Sequence, residues 1–178
     1  MSKFLVKLVD EAIFPAALLI AAKAIGVMVV NMSFGFSWSV DTVFRSLFTP
    51  RLIYASQAEV MAVASYSNLV MYIAVFIGMG AVIMKAFYLH DTHIRPQTVL
   101  KLAKLDLLHM VSSSFQLYHQ ALIWFGFQLL TTMFIVANYL QGVTYGWVAV
   151  AVIVLTLGTF WMLIKDIDLE LERKVLVH

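Results

Sequence analysis

Met110–Ile164, MVSSSFQLYHQALIWFGFQLLTTMFIVANYLQGVTYGWVAVAVIVLTLGTFWMLI, runs without a single Asp, Glu, Lys or Arg. A chain in water cannot hide such a stretch, whereas a bilayer core about 30 Å thick takes about 20 helical residues to cross. The run therefore holds two spans and a turn between them, which Asn138, Gln141, Gly142, Thr144 and Gly146 mark. Working outward, further apolar runs follow the N-terminus and precede His90, so the pattern predicts spans at about 12–34, 66–89, 115–139 and 145–165.

Composition points the same way. Hydrophobic residues make up 62% and charged residues 12% of the 178 residues, against about a quarter charged in ordinary globular domains. The expected fold is all-α: an integral membrane four-transmembrane-helix bundle in which residues 1–178 form one domain, since four spans with short connections use most of the chain. The absence of cysteine excludes disulfides, thiolate metal sites, iron–sulfur ligation and dithiol redox chemistry. A formal net charge of +2 from lysines and arginines near span ends gives no basic patch, and no nucleic-acid partner is expected.

Lys3 and Lys7 before an apolar stretch resemble the start of a secretory signal, but Asp10 and Glu11 interrupt the basic region and the apolar run exceeds a signal core. We read it as a retained first span. With the N-terminus inside, Lys3, Lys7, Lys85, Arg95, Lys101, Lys104, Lys165, Arg173 and Lys174 fall on the inner side, against Arg45 and Arg51 outside. This positive-inside bias predicts that both termini are cytoplasmic, or on the equivalent side in an organelle, with Trp38, Tyr139, Tyr145 and Trp147 at the outer headgroup level; a bacterial-type inner (plasma) membrane is the expected location.

Three segments lie outside the spans. In the first loop Val40, Val43, Phe44, Leu47 and Phe48 recur at helical spacing opposite polar residues, with Ser39 as N-cap and Pro50 as stop. This predicts a short interfacial amphipathic helix at about 40–48. The cytoplasmic loop 90–114 contains Pro96, which suits the first turn of a helix running through Lys101 and Lys104 toward the third span, with Ser112–Ser114 as a break. Past the last span, Ile167, Leu171 and Val175 continue a helical stripe, so residues 166–178 are expected to extend that helix into the cytoplasm.

Two sets of residues carry what chemistry the chain suggests. Lys23 sits mid-way along the first span, where an ammonium costs about 2.5–3.5 kcal/mol on insertion scales. No span supplies a carboxylate at its depth. Either its stem reaches to the headgroups, or it pairs with another subunit, or it lines a polar path or subunit contact with Asn31, Gln120, Gln128 and Asn138. Gln120 and Gln128, eight apart, share a helical face and suit interhelical hydrogen bonds. The second set is a candidate metal constellation at the inner side: His90, Asp91, His93, Asp106, His109 and His119. Imidazole and carboxylate suit zinc, iron, copper or manganese, yet the spacings match no metal motif, and no cofactor is expected beyond such an ion.

Ala22/Gly26 and Ala74/Gly78 fit the small-xxx-small spacing of close helix contacts. No phosphate loop, nucleophile elbow or kinase signature occurs. These features favour a small tetraspan protein that acts as a non-catalytic structural or accessory subunit of a larger membrane complex, or as a homo-oligomer. Its partners are then the lipid bilayer and other membrane subunits or copies of itself. The alternative is a small transporter or channel along Lys23 and the third span, and after it a metal- or haem-dependent membrane enzyme.

Overall fold

A computed structural model describes residues 3–40, 52–91 and 94–176, with side chains between 9 and 172. The chain folds into α1 (Lys3–Phe34), β1 (Trp38–Val40), β2 (Leu52–Tyr54), α2 (Gln57–Tyr88), α3 (Pro96–Lys104), a 3-10 turn at Leu108–Met110, α4 (Ser114–Leu140) and α5 (Gly146–Leu176). Among the described residues, α1, α2, α4 and α5 are long and apolar enough to cross a membrane. Each turns large apolar side chains outward: Ile20, Ile77, Leu130 and Leu157 are all more than 60% exposed.

α2 is the central element, packed against α1, α4 and α5. It begins well before the apolar run suggests, because Ser56 and Glu59 form a start signal. Ser56 Oγ accepts from the Glu59 amide at 3.3 Å, which satisfies one of the helix's orphan donors, and the Glu59 carboxylate accepts from the Ala55 amide at 3.0 Å, just ahead of the cap. The apolar core lies where Tyr72 of α2 meets Ile135 of α4 and Val148, Ala149 and Val152 of α5.

α4 and α5 join through a tight turn. The Val143 amide bonds to the Asn138 carbonyl and the Gly142 amide to the Tyr139 carbonyl, both at 2.9 Å, with Gly142 at φ +71°. This pattern closes the last turn of α4 and needs a left-handed residue at Gly142. Gly142→Ala should therefore lower unfolding stability by about 1 kcal/mol, read as a lower midpoint in a detergent unfolding titration; an unchanged midpoint would contradict the role of that turn.

The first loop differs from expectation. Val40 and Ser39, expected to open an amphipathic helix, lie in β1, which pairs antiparallel with β2 through Trp38↔Tyr54, Ser39↔Ile53 and Val40↔Leu52. Helical spacing is a local signal and says nothing of a partner strand twelve residues away. The rest of that expected helix, 41–48, lies outside the described residues. The helix expected after Pro96 is present as α3, and α5 continues without a break from Gly146 past the last span.

Candidate functional site

Among the described residues, four groups of polar side chains stand out, each positioned by a pair or trio of helices. Lys23 of α1 faces α2, where its Nζ donates to Asn68 Oδ1 at 2.5 Å and Ser67 Oγ at 2.6 Å. Ser67 passes its own proton to the Val63 carbonyl at 2.5 Å, and Asn68 Nδ2 donates to Thr144 Oγ1 at 3.4 Å. The ammonium is thus held by neutral acceptors of the same chain. Gly26, one turn along α1, makes this approach possible: a Cβ there would stand 3.0 Å from the Ser67 Cα.

Deeper between α2, α4 and α5 lies a second group. Gln128 Nε2 donates to Tyr72 OH at 2.8 Å, Thr159 Oγ1 donates to Gln128 Oε1 at 3.2 Å, and Tyr72 OH, 2.9 Å from Thr156 Oγ1, is also 3.1 Å from the Val152 carbonyl. Thr132 Oγ1 completes the group at 2.8 Å from Thr156 Oγ1. Gln128, Tyr72 and Val152 are fully buried, so these bonds satisfy groups that water cannot reach. Gln128→Leu should cost about 1 kcal/mol, the usual scale of one interhelical hydrogen bond inside a membrane protein. Thermal unfolding of the purified variant in detergent checks it, and a rise in midpoint would show the amide to be dispensable.

The third group stands where α2 ends and α4 begins. A backbone bridge between His90 and Ser112, with Asp91 N–H donating to the Ser112 carbonyl and Ser112 N–H to the Leu89 carbonyl, folds the loop back on α2. Ser114 Oγ therefore sits 2.9 Å from the buried His90 Nε2 and donates to Glu170 Oε1 of α5 at 2.8 Å; Tyr118 OH also donates to Glu170. Since the single hydroxyl proton of Ser114 goes to the carboxylate, His90 Nε2 is the donor to Ser114. That order differs from a nucleophilic triad, where serine donates to histidine.

The fourth group lines a cleft between α1, α2 and α4. Asp10 and Glu11 of α1, Lys85 of α2 and Gln120 of α4 share it with Trp124, and its volume is about 580 Å³. His119 Nε2 approaches Glu11 Oε2 at 3.3 Å, and its ring lies parallel to Phe115 at 6.1 Å.

The residues singled out in the sequence are thus dispersed. Lys23 and Gln128 join different groups, Gln120 lines the cleft, and Asn31 Nδ2 donates to Tyr54 OH at 3.2 Å beside the strands. Asn138 gives its carbonyl to the α4 cap. Of the histidine set, His90 faces Ser114 and Tyr118 of α4 while His119 faces Glu11 of α1; Asp106 and His109 are exposed, and Asp106, at φ 56°, serves the turn that ends α3. Asp91 lies 3.6 Å from His90, half-exposed, and His93 is outside the described residues. Among the described residues, no three His, Cys, Asp or Glu are grouped to hold a metal ion.

Ser67, Asn68, Tyr72 and the Glu170 carboxylate are functional positions that the sequence does not single out, and Ser114 meets His90 and Glu170 rather than its sequence neighbours His109 and Asp106. A signal existed: Asn68 and Tyr72 lie four apart on α2, and Thr156 and Thr159 three apart on α5, each pair on one helical face. No family model, curated protein or solved structure matches the chain.

Proposed function

We propose that the chain is a multi-pass membrane protein of a bacterial-type inner membrane, a four-span bundle with both termini cytoplasmic, and that it works as a non-catalytic structural or accessory subunit of a larger membrane assembly or as a homo-oligomer. The observation that carries this reading is the use made of the mid-depth polar groups. Lys23, Ser67, Asn68, Tyr72, Gln128, Thr132, Thr156 and Thr159 are bonded to one another across helices, an arrangement that holds helices in register and leaves those groups engaged with protein. α5 extends beyond what a bilayer needs, about 46 Å at 1.5 Å per residue, and gives a cytoplasmic surface for a partner. Extraction in mild detergent followed by native mass measurement tests it: recovery with other subunits or as a closed oligomer is expected, and recovery as a lone monomer overturns it.

The runner-up reading is a small transporter or channel. Lys23 favours it, because it lines a groove of about 390 Å³ between α1 and α4 whose other walls include Phe127 and Phe134. A fixed cation in a path favours anions. Anion flux into vesicles carrying the purified protein, abolished by Lys23→Met, would replace the subunit reading.

A further inference from the structure

The cleft between α1, α2 and α4 has a polarity along its length. On α1, Glu11, Phe14 and Leu18 follow one another on one face, charge first; on α2, Lys85, Ala81, Gly78 and Ala74 do the same in the opposite chain direction. On α4, Gln120 precedes Ile123 and Trp124. All three helices therefore set polar groups at one end of the cleft and apolar surface at the other. That is the profile of an amphiphile.

The aromatic wall is built into the packing. A Cβ on Gly78 would collide with the Trp124 ring, so the indole lies directly against the α2 backbone. Phe14 meets it edge-on at a ring distance of 6.1 Å. Phe14 and Ile77 are both 65% exposed on the outer surface, so the cleft is reached sideways, from the lipid. Its volume of about 580 Å³ is within the usual range of ligand pockets, about 300–1,000 Å³.

The polar end carries both signs. Lys85 supplies an ammonium from α2, and Asp10 and Glu11 supply carboxylates from α1. His119 Nε2 lies 3.3 Å from Glu11 Oε2, and Lys85 and Asp10 face the same cleft from different helices. An anionic headgroup would meet Lys85 but also two carboxylates. A trimethylammonium headgroup offers those carboxylates no N–H, whereas a primary ammonium donates to them.

We infer that this cleft binds a zwitterionic phospholipid of the cytoplasmic leaflet with a phosphoethanolamine headgroup, its phosphate on Lys85, its ammonium on Asp10 and Glu11, and the upper part of an acyl chain against Phe14 and Trp124. The inference rests on the membrane reading above and is independent of the subunit role.

The test uses the full chain in vesicles of phosphoglycerol lipid containing increasing amounts of phosphoethanolamine lipid with brominated acyl chains, which quench nearby tryptophan. The signal of Trp124 is the difference between the wild type and Trp124→Phe. Saturable quenching of Trp124 is expected at low mole fraction, and Lys85→Gln or Asp10→Asn should raise the fraction for half-quenching about tenfold, the scale of one charge-assisted hydrogen bond. Lys85→Arg should restore it. Equal quenching of Trp124 by brominated phosphocholine or phosphoglycerol lipid overturns the site, as does indifference to Lys85→Gln. Trp147 and Trp161, 53% and 61% exposed, keep the two readings apart: any brominated lipid should quench them in an inserted chain, and no quenching of them overturns the membrane reading itself.

Discussion

Gly26→Leu should separate α1 from α2 and reduce stability by about 3 kcal/mol, measured as a shift in the unfolding midpoint of the purified protein in detergent. The reason is that α1 and α2 approach backbone to side at this point. A Cβ on Gly26 would lie 3.0 Å from the Ser67 Cα, 3.1 Å from the Ser67 carbonyl oxygen and 3.1 Å from the Val70 Cβ. Two of those three atoms are main chain and cannot rotate away, so a larger side chain must move a whole helix. The same movement draws Lys23, one turn earlier, off Ser67 and Asn68, adding an electrostatic loss to the steric one. Gly26→Ala should be much milder, because a shift of a few tenths of an ångström relieves it. A Gly26→Leu protein that unfolds at the wild-type midpoint would refute the close approach.

The second large effect concerns the lysine itself. Asn68→Leu should destabilise by about 2–3 kcal/mol, because it takes away one of two acceptors from an ammonium whose burial costs about 2.5–3.5 kcal/mol on insertion scales. Ser67 still accepts through its oxygen while its own proton goes to the Val63 carbonyl, but the ammonium is then left with one acceptor in place of two. In a Lys23→Met background the charge is gone, and Asn68→Leu should then cost about 1 kcal/mol or less, the remaining loss being the weak bond to Thr144. The double-mutant cycle therefore predicts a coupling of about 2 kcal/mol. Additive losses would mean that Lys23 depends on something other than Asn68, such as the headgroups or an acidic residue of a neighbouring subunit.

Why Asn68 was not foreseen is instructive. The four long helices were legible from apolar runs, and the continuation of α5 from its helical stripe, because both are written in composition and in a single periodicity. The start of α2 was not: apolarity suggests an edge near residue 66, which puts Ser67 and Asn68 at the surface, whereas the Ser56–Glu59 cap starts the helix at Gln57 and carries them inside. Looking for a carboxylate to answer Lys23 then overlooked two neutral acceptors. The strand pair that displaces the expected start of the amphipathic helix depends on a partner remote in sequence. For the histidines, nearness along the chain hid their direction, since His90 and His119 turn to different helices through the fold-back at Ser112.

The turn at Gly142 bears on how the molecule is made. Residues 141–145, Gln-Gly-Val-Thr-Tyr, carry no charge, and the segments on either side pack together through Gln128–Thr159 and Thr132–Thr156. In a membrane, getting this turn across requires no charged group to be stripped of water. In the proposed arrangement α4 and α5 can enter the bilayer as one hairpin, with the Thr132–Thr156 and Gln128–Thr159 bonds formed inside it and the Gln128 amide meeting Tyr72 once α2 packs against it. In the same proposed arrangement the loop between α1 and α2 carries Asp41, Arg45 and Arg51, so its passage takes charge through the bilayer.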